Sequence, residues 1–156
     1  LIHIRKVLDF SRPTSFCHAL TNIYLFDDKI RKNLRTAVRE RSYSPYSKFK
    51  VGAAILCADG TIYTACNVEN ASFPVGICAE RAAIAKAISE GKKEFKALAV
   101  VADHENGGFV SPCGMCRQGI AEFGDMPIYL TRSDMKNVAR TTLTDLLPFS
   151  FALLNA

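Results

Sequence analysis

The order of apolar segments between residues 51 and 131 constrains the fold more than any other feature of the sequence. It begins with two strand-like runs, Val51–Cys57 and Thr61–Cys66, and their connection through Asp59-Gly60 predicts an antiparallel hairpin. Segments with helical spacing then alternate with apolar runs, and they predict a helix, a strand, a second helix and a second strand over Ala79–Ser89, Ala97–Ala102, Gly114–Phe123 and Pro127–Thr131. Helices that alternate with strands pack on the faces of a sheet, so the pattern predicts an α/β layered fold to which the hairpin adds antiparallel strands.

Shorter segments flank this central pattern. After it, Asn137–Thr142 is predicted as an edge strand and Leu143–Leu147 as a short helix that ends before Pro148. Before it, apolar residues recur at helical spacing in Asp27–Arg41, which predicts a surface helix. Residues 1–26 show no regular period and no clear signal peptide. We therefore expect residues 1–26 to be an N-terminal appendage of uncertain role and residues 27–156 to form the functional domain.

Composition limits the partners that such a domain can have. Apolar residues make up 49% of the 156-residue chain, which is sufficient for one core, and charged residues interrupt every apolar run before it reaches the roughly 18 residues of a membrane-spanning helix. The net charge of +5 arises within residues 1–50, which contain 11 Lys and Arg against 4 Asp and Glu. From Val51 onward, basic residues are not interleaved with aromatic ones as a nucleic-acid groove requires. We expect neither a membrane nor a nucleic acid as a partner.

The chain contains six cysteines, and their redox state decides how they can be used. A disulfide-dense scaffold is usually shorter and poorer in apolar residues, so a reduced protein of the cytoplasm is predicted. Cys57 and Cys66 lie in the two hairpin strands and are expected to be free thiols, while Cys17 receives no role. The cysteines that remain for chemistry are Cys78, Cys113 and Cys116.

The spacing Cys113-Gly114-Met115-Cys116 fits a redox dithiol, half of a structural zinc site or two ligands of a catalytic zinc site. A structural zinc site needs four protein ligands, and the chain contains no second C-x-x-C. Cys78 can supply a third thiolate, because it and Cys113 each precede a predicted helix and the two helices can begin on the same side of the sheet. Three thiolates leave the fourth tetrahedral position open for water, which is the arrangement of a catalytic Zn²⁺ site.

Two charged residues follow Cys78 closely. Glu80 lies at the start of an apolar helix, where it has no packing role, and a general base is needed within hydrogen-bond reach of the water at the open position. We therefore expect Glu80 to carry protons rather than to bind the metal. Three thiolates around a divalent cation leave a net charge of about −1, and Arg81 is placed to offset that charge by donating to a sulfur.

Cys78-Ala79-Glu80, together with Pro112-Cys113-Gly114-Met115-Cys116, is similar to the C-x-E and P-C-x-x-C signature of zinc-dependent nucleobase deaminases. The chain resembles the small cytidine deaminases over roughly residues 42–151, including Tyr46-Ser47-Lys48-Phe49, Asn67-Val68-Glu69-Asn70-Ala71 and Leu146-Leu147-Pro148. The resemblance implies a three-layer α/β sandwich with a mixed central sheet of about five strands, flanked by helices. It also implies one Zn²⁺ per subunit, a homotetramer with active sites at subunit interfaces, and hydrolytic deamination of cytidine and 2′-deoxycytidine in pyrimidine salvage.

The same resemblance implies substrate-binding roles for several residues. Asn67 and Glu69 would bind the ribose hydroxyls, which an amide and a carboxylate are suited to do. Phe49 would pack against the pyrimidine ring, and the backbone of Ala79 would contact the base. Gln118 resembles a residue near the metal-bound water. Pocket-lining roles, some of them contributed by a neighbouring subunit, are implied for the aromatic residues Tyr46, Phe73 and Phe151.

Other classes of protein fit the sequence less well. Blasticidin-type deaminases share the size and the metal motif but depart from N-x-E at the sugar-binding carboxylate, which is intact here as Glu69. Nucleic-acid-editing, deoxycytidylate and tRNA deaminases usually have His where Cys78 stands. A structural zinc or nucleic-acid-binding module would leave Glu69 and Glu80 without a purpose. The sequence therefore favours an enzyme that acts on free nucleosides.

Overall fold

The computed structural model describes residues 38–153, and within this range the chain forms five strands and three α-helices. In chain order these are β1 (Val51–Cys57), β2 (Ile62–Cys66), α1 (Ala79–Ser89), β3 (Phe95–Ala102), α2 (Gly114–Ala121), β4 (Pro127–Thr131), β5 (Val138–Thr142) and α3 (Leu143–Leu146). Single turns of 3-10 helix occur at Arg39–Arg41 and Phe73–Val75. Every element predicted beyond residue 50 is present. The helix predicted over Asp27–Arg41 lies outside the described residues except for its last four.

The ends of several elements differ from the predicted ends by one or two residues, and local hydrogen bonds explain the larger differences. Thr61 belongs to the hairpin turn, where its carbonyl accepts a hydrogen bond of 2.9 Å from the Cys57 amide. Helix α2 ends at Ala121 because the amides of Phe123 and Gly124 donate to carbonyls only three residues back, at 3.0 and 3.2 Å. Strand β3 begins earlier than predicted because Phe95 pairs with Cys57 beyond a register shift in β1.

The five strands form one mixed sheet in the order β2-β1-β3-β4-β5. The β1–β2 hairpin, the β1–β3 pair and the β4–β5 pair are antiparallel, whereas β3 and β4 are parallel. Parallel neighbours need a crossover connection, and α2 provides it. The loop before α2 therefore leaves the sheet at the carboxyl end of β3, where α2 begins.

One face of the sheet packs against α1 and α2. Ala79, Ala83 and Ala87 of α1 are completely buried, and their small side chains let the helix approach the sheet closely. Ile84 and Ile120 fill the space between the helices and the strands. The strands contribute large buried side chains, each of which stabilises the fold by about 1.5–3 kcal/mol on full burial; they include Ile55, Leu98, Val100 and Ile128.

The opposite face of the sheet is also buried. Its side chains form a second apolar cluster in which none is more than 9% exposed, made of Ala54, Ala97, Ala99, Val101 and Tyr129. A sheet that is buried on both faces is the middle layer of a sandwich. This confirms the predicted three-layer α/β architecture. Within residues 38–153, no helix is both long enough and apolar enough to cross a lipid bilayer.

Candidate active site

Three thiols meet where helices α1 and α2 begin. Cys78 and Cys113 are the N-cap residues of α1 and α2, and Cys116 lies in the first turn of α2. Their three Sγ atoms all lie within 4.8 Å of one another, and the Cys78 and Cys113 sulfurs are 3.9 Å apart. Ligands about 2.3 Å from a tetrahedral zinc ion are about 3.8 Å from each other, so this spacing fits a zinc site. It is too long for a disulfide, whose sulfurs are about 2.05 Å apart.

The donor set also fits a metal with one open position. No fourth Cys, His, Asp or Glu of residues 38–153 belongs to the cluster. Both helices direct the positive ends of their dipoles at the thiols, because Cys78 and Cys113 cap them, and this favours the thiolate forms that bind zinc. Three protein thiolates with a free fourth position are the arrangement expected of a catalytic rather than a structural zinc site.

The pKa values of Cys78 and Cys116 are shifted in opposite directions. A hydrogen bond from the Cys116 thiol, with further ones from Cys113 and Arg81, lowers the pKa of Cys78 to about 5. Donation to Cys78, together with burial and the nearby Glu80 charge, raises the pKa of Cys116. Binding of a metal by these thiols must displace their protons, because the thiolate is the form that binds zinc.

Arg81 provides a positive charge beside the thiols. Burial alone would lower its pKa, but the hydrogen bond to Cys78 and the charges of Cys78 and Cys116 outweigh burial and raise it. One guanidinium nitrogen also contacts the Gly76 carbonyl at 3.4 Å, while Nε is buried without a hydrogen-bond partner among the described residues. The structure thus places Arg81 beside Cys78.

Glu80 is a buried carboxyl group, with only 4% of its surface exposed. Burial is the largest cause that raises its pKa, and the charge of Cys78 adds to this effect. Its own backbone N–H, the Cys116 thiol and the Arg81 charge oppose the increase. A buried carboxyl group with a raised pKa holds a proton more readily than an exposed one, and beside a metal site this favours a role as a general acid–base group.

A cleft of about 690 Å³ opens beside the thiols. This volume is in the range of small-molecule binding sites, which is roughly 300–1,000 Å³. Cys78, Cys113, Glu80 and Arg81 line the cleft, and so do most of the candidates for substrate binding, namely Tyr46, Phe49, Asn67, Glu69, Phe73 and Ala79. The metal cluster and these candidates therefore share one cavity.

A short extension of the sheet positions one wall of the cleft. Val68, just beyond β2, is bridged to Tyr43 on one side and to Ile77 on the other. The Val68 and Ile77 backbones exchange two hydrogen bonds of 2.9 Å, and the Glu69 amide donates to the Tyr43 carbonyl at 2.8 Å. These bonds place Asn67 and Glu69 next to the strand-like residue that precedes Cys78.

Glu69 is held by the turn that contains Tyr46 and Ser47. The Ser47 hydroxyl donates to one carboxylate oxygen, and the amides of Tyr46 and Ser47 donate to the other at 2.9 and 3.2 Å. These bonds, led by that of the hydroxyl, lower the pKa of Glu69 and keep it ionised. The Ser47 hydroxyl also accepts a hydrogen bond of 3.0 Å from the Phe49 amide, so one side chain links Glu69 to Phe49.

Asn67 already uses most of its hydrogen-bonding capacity within the protein. Its Oδ1 accepts from the Val51 amide at 2.9 Å and from the Ser42 hydroxyl at 2.5 Å, and its Nδ2 donates to the Phe49 carbonyl at 2.9 Å. An amide NH₂ has two hydrogens, so one N–H can still donate to a ligand in the cleft. Asn67 therefore orders the entry to β1 as well as lining the cleft.

Comparison with known proteins agrees with this geometry. The family model described as the cytidine and deoxycytidylate deaminase zinc-binding region matches residues 27–131. The chain belongs to this family. A cytidine deaminase from Sporosarcina psychrophila is 57% identical over 117 residues, which cover 73% of this chain and 83% of that protein. The blasticidin-S deaminase of Bacillus cereus is 35% identical over 111 residues, which cover 67% of this chain and 79% of that protein.

Solved structures show the same relationship. The crystal structure of cytidine deaminase from Burkholderia pseudomallei matches this chain with a TM-score of 0.72 at 41% identity, covering 80% of this chain and 98% of that one. The fold of this deaminase-family chain, with its mixed sheet and its two helices that begin at the thiols, is therefore similar to that of a solved cytidine deaminase.

Gln118 and Phe151 are paired with each other and do not line the cleft of this chain. The Gln118 amide donates to the Phe151 carbonyl at 2.7 Å and accepts from the Phe151 amide at 3.2 Å. The Phe151 ring is 68% exposed. Tyr46 and Phe73 line the cleft and contact each other edge to face, with ring centroids 6.3 Å apart. The structure therefore brings together all the candidate residues except Gln118 and Phe151.

Sequence reasoning missed residues that support the site through hydrogen bonds. Ser47 supports Glu69 as described above, and Arg117 donates to the loop that leads into Cys113. Both lie within the segments that carry the family resemblance, but a short polar residue in a turn and an arginine on a helix are common surface features. Ser111 and Met115 also line the cleft without having been predicted to do so.

Proposed function

We propose that this protein is a zinc-dependent nucleoside deaminase that hydrolyses cytidine and 2′-deoxycytidine to uridine and 2′-deoxyuridine with release of ammonia. The observation that carries the proposal is the buried Glu80 carboxyl in a cleft that is also lined by Cys78 and Cys113, two members of a cluster of three thiols. Membership of the deaminase family and the similarity to named cytidine deaminases support the choice of reaction.

Cys78, Cys113 and Cys116 would hold one Zn²⁺ per subunit. When bound, zinc supplies Lewis-acid chemistry that lowers the pKa of a water molecule from about 16 toward about 7. Arg81 tempers the excess negative charge of the three thiolates through its contact with Cys78. The two helix N-termini act in the same direction, since their partial positive charges face the sulfurs.

Glu80 accounts for the proton transfers. Hydrolysis consumes one water and releases one ammonia, so one proton of the water must reach N3 of the ring and the other must reach the exocyclic N4. Glu80 accepts one proton from water at a carboxylate oxygen and gives it to N3 of the ring, while the water oxygen forms a bond to C4. Glu80 then accepts the second proton from the new C4 hydroxyl and passes it to N4, so that the C4–N4 bond breaks, ammonia leaves and a carbonyl remains at C4. Its raised pKa supports this role because burial favours the protonated form that donates to N3 and N4.

Substrate recognition is assigned to the wall of the cleft that contains Glu69 and Asn67. Glu69, ionised and anchored by Ser47, is proposed to accept hydrogen bonds from the sugar hydroxyls, and the remaining N–H of Asn67 to donate to them. Phe49 is proposed to pack on the pyrimidine ring, while the Ala79 backbone contacts the base. A site built around sugar hydroxyls binds a free base poorly, because the polar groups are then left unpaired.

We further propose that the catalytic domain spans residues 27–156, with residues 1–26 as an appendage, and that it assembles as a homotetramer. The aromatic residues that would then complete active sites at subunit interfaces are Tyr46, Phe73 and Phe151. Gln118 would act near the site through its hydrogen bond to Phe151. A cytoplasmic role in pyrimidine salvage is consistent with a site that needs three reduced thiols.

Loss of cytidine absorbance on incubation with the purified protein tests the proposed function. We expect turnover of cytidine and deoxycytidine, loss of that turnover after treatment with a strong chelator, and its recovery on addition of Zn²⁺. Cytosine is the control substrate, and we expect it to react far more slowly because it cannot use Glu69 and Asn67. A zinc-loaded protein that leaves cytidine unchanged would contradict the proposal.

A further inference from the structure

The Arg117 side chain makes three hydrogen bonds that join two parts of the chain that are distant in sequence. Its Nε donates to the Pro112 carbonyl at 2.7 Å, and one terminal nitrogen donates to the Ser111 hydroxyl at 3.0 Å. The other terminal nitrogen donates to the Leu146 carbonyl at 2.9 Å. All three contacts are partly buried, and each of the three guanidinium nitrogens has a partner.

These contacts hold the two residues that precede a thiol of the metal cluster. Ser111 and Pro112 lead directly into Cys113, which caps α2, and Arg117 lies one helical turn further along α2. The Arg117 amide donates to the Cys113 carbonyl at 2.9 Å, so its backbone closes the first turn while its side chain fixes the incoming loop. Cys113 is the exposed thiol of the cluster, which makes its position depend on this loop.

The third contact ties the same loop to α3. Leu146 is the last residue of α3, and its carbonyl is one of those that a helix leaves without an internal partner. A guanidinium group satisfies this carbonyl and complements the negative end of the helix. The loop before Cys113 is thereby braced against an element that follows β5.

We propose that Arg117 is a positioning residue that holds Cys113 in the geometry for zinc and so controls how long the metal remains bound. The inference rests on the proposed zinc site and extends it to a residue that touches neither the metal nor the substrate. The effect depends on the planar fork of the guanidinium, which reaches all three acceptors in fixed directions. A lysine keeps the charge but presents a single nitrogen, so it cannot hold Ser111, Pro112 and Leu146 together.

The rate of zinc release from the full-length zinc-loaded protein to a chromogenic chelator in excess tests this inference. Partners of metal ligands typically change metal affinity by about 10–100-fold, and we expect Arg117→Lys to release zinc about tenfold faster than the wild type or more. Arg140→Lys, on exposed β5, is the matched control for the Arg-to-Lys change. Ile120→Val, a buried change on α2, is the control for a general loss of stability. Both controls should release zinc at the wild-type rate.

The outcomes separate this inference from the proposed function. An Arg117→Lys protein that releases zinc no faster than Ile120→Val overturns the positioning role. If Arg117→Lys does not fold, Ser111→Ala removes one of the three acceptors in its place, and an unchanged release rate in that variant also overturns the role. A wild-type protein that binds zinc without deaminating cytidine contradicts the proposed function alone. A wild-type protein that binds no zinc contradicts both.

Discussion

Glu80 combines two properties that a surface carboxylate does not have. It is almost fully buried, and it lies two residues after a thiol of the cluster, where burial raises its pKa. A glutamate in this position costs folding energy, because burial disfavours the ionised form. That cost is understandable if the side chain moves protons during the reaction.

Replacement of this carboxyl by an amide should separate metal binding from turnover. Glu80→Gln keeps the size of the side chain and all three thiols, so we expect wild-type zinc content and a kcat reduced by about 10²–10⁴-fold, the usual contribution of a general acid–base group. Metal analysis and cytidine turnover on the same sample measure both quantities. Glu90→Gln, at the exposed end of α1, is the matched control and should keep full activity. Near-normal turnover in Glu80→Gln would remove the proton-transfer role.

The residues that could be predicted from sequence are those whose chemistry is unusual for their setting. A glutamate at the start of an apolar helix and three cysteines with ligand spacing stand out, and the structure brings the cysteines together. Ser47 and Arg117 could not be found in this way, since their partners are distant in sequence or belong to the backbone. Their importance depends on which turn or loop they face, and only the folded chain specifies that.

At the level of elements, β1 depends on a glycine for close packing. Gly52 pairs with Cys66 of β2 and with Val101 of β3. A Cβ at this position would lie 2.9 Å from Val101 Cγ1 and 3.2 Å from the Arg39 backbone nitrogen. The missing side chain lets the 3-10 turn Arg39–Arg41 lie directly on the sheet, where Arg39 makes a 2.7 Å ion pair with Asp103 beyond β3.

Gly52→Ala should therefore destabilise the protein without a change in chemistry. The added methyl group clashes with a rigid β-branched side chain and with backbone, so we expect a loss of about 1–3 kcal/mol in the free energy of unfolding. For a chain of this size that corresponds to a fall in Tm of about 2–4 °C per kcal/mol. Thermal unfolding followed by circular dichroism measures the change. Gly108→Ala is the control, because a Cβ added to Gly108 would have no neighbouring atom within 4 Å; equal Tm values for the two variants would contradict the packing argument.

The elements themselves were predictable because their hydrophobic periods are clear, and α1 has the predicted bounds. The bounds of β1 and β4 are also as predicted, but the ends of the remaining elements are not, because they depend on hydrogen bonds that composition does not reveal. The bonds from Phe123 and Gly124 that end α2 are one example, and the pairing of Phe95 with Cys57 is another. The order of the strands in the sheet could not be predicted either, because the hairpin pattern does not indicate that β1 rather than β2 pairs with β3.

At the level of the whole molecule, several large aromatic side chains of residues 38–153 are exposed to solvent in the single chain. Several of them belong to the cleft or to the segment that follows α3, and the most exposed are Tyr43, Tyr46, Phe73, Phe149 and Phe151, at 58%, 52%, 78%, 96% and 68%. Exposed apolar patches of this kind usually mark interaction sites. Neighbouring subunits of the proposed tetramer would cover these rings.

Light scattering coupled to size exclusion tests this assembly. We expect a mass of four times the 17.2 kDa chain, and we expect Phe149→Asp to shift the protein toward smaller species because a charge replaces the most exposed ring. Since Phe151 lies close behind Phe149 and is anchored by Gln118, loss of assembly should be accompanied by weaker cytidine binding, seen as a higher KM. Lys93→Asp, in the exposed loop after α1, is the control for the added charge and should remain a tetramer. A wild-type protein that is monomeric and fully active at assay concentration would show instead that one chain forms a complete site.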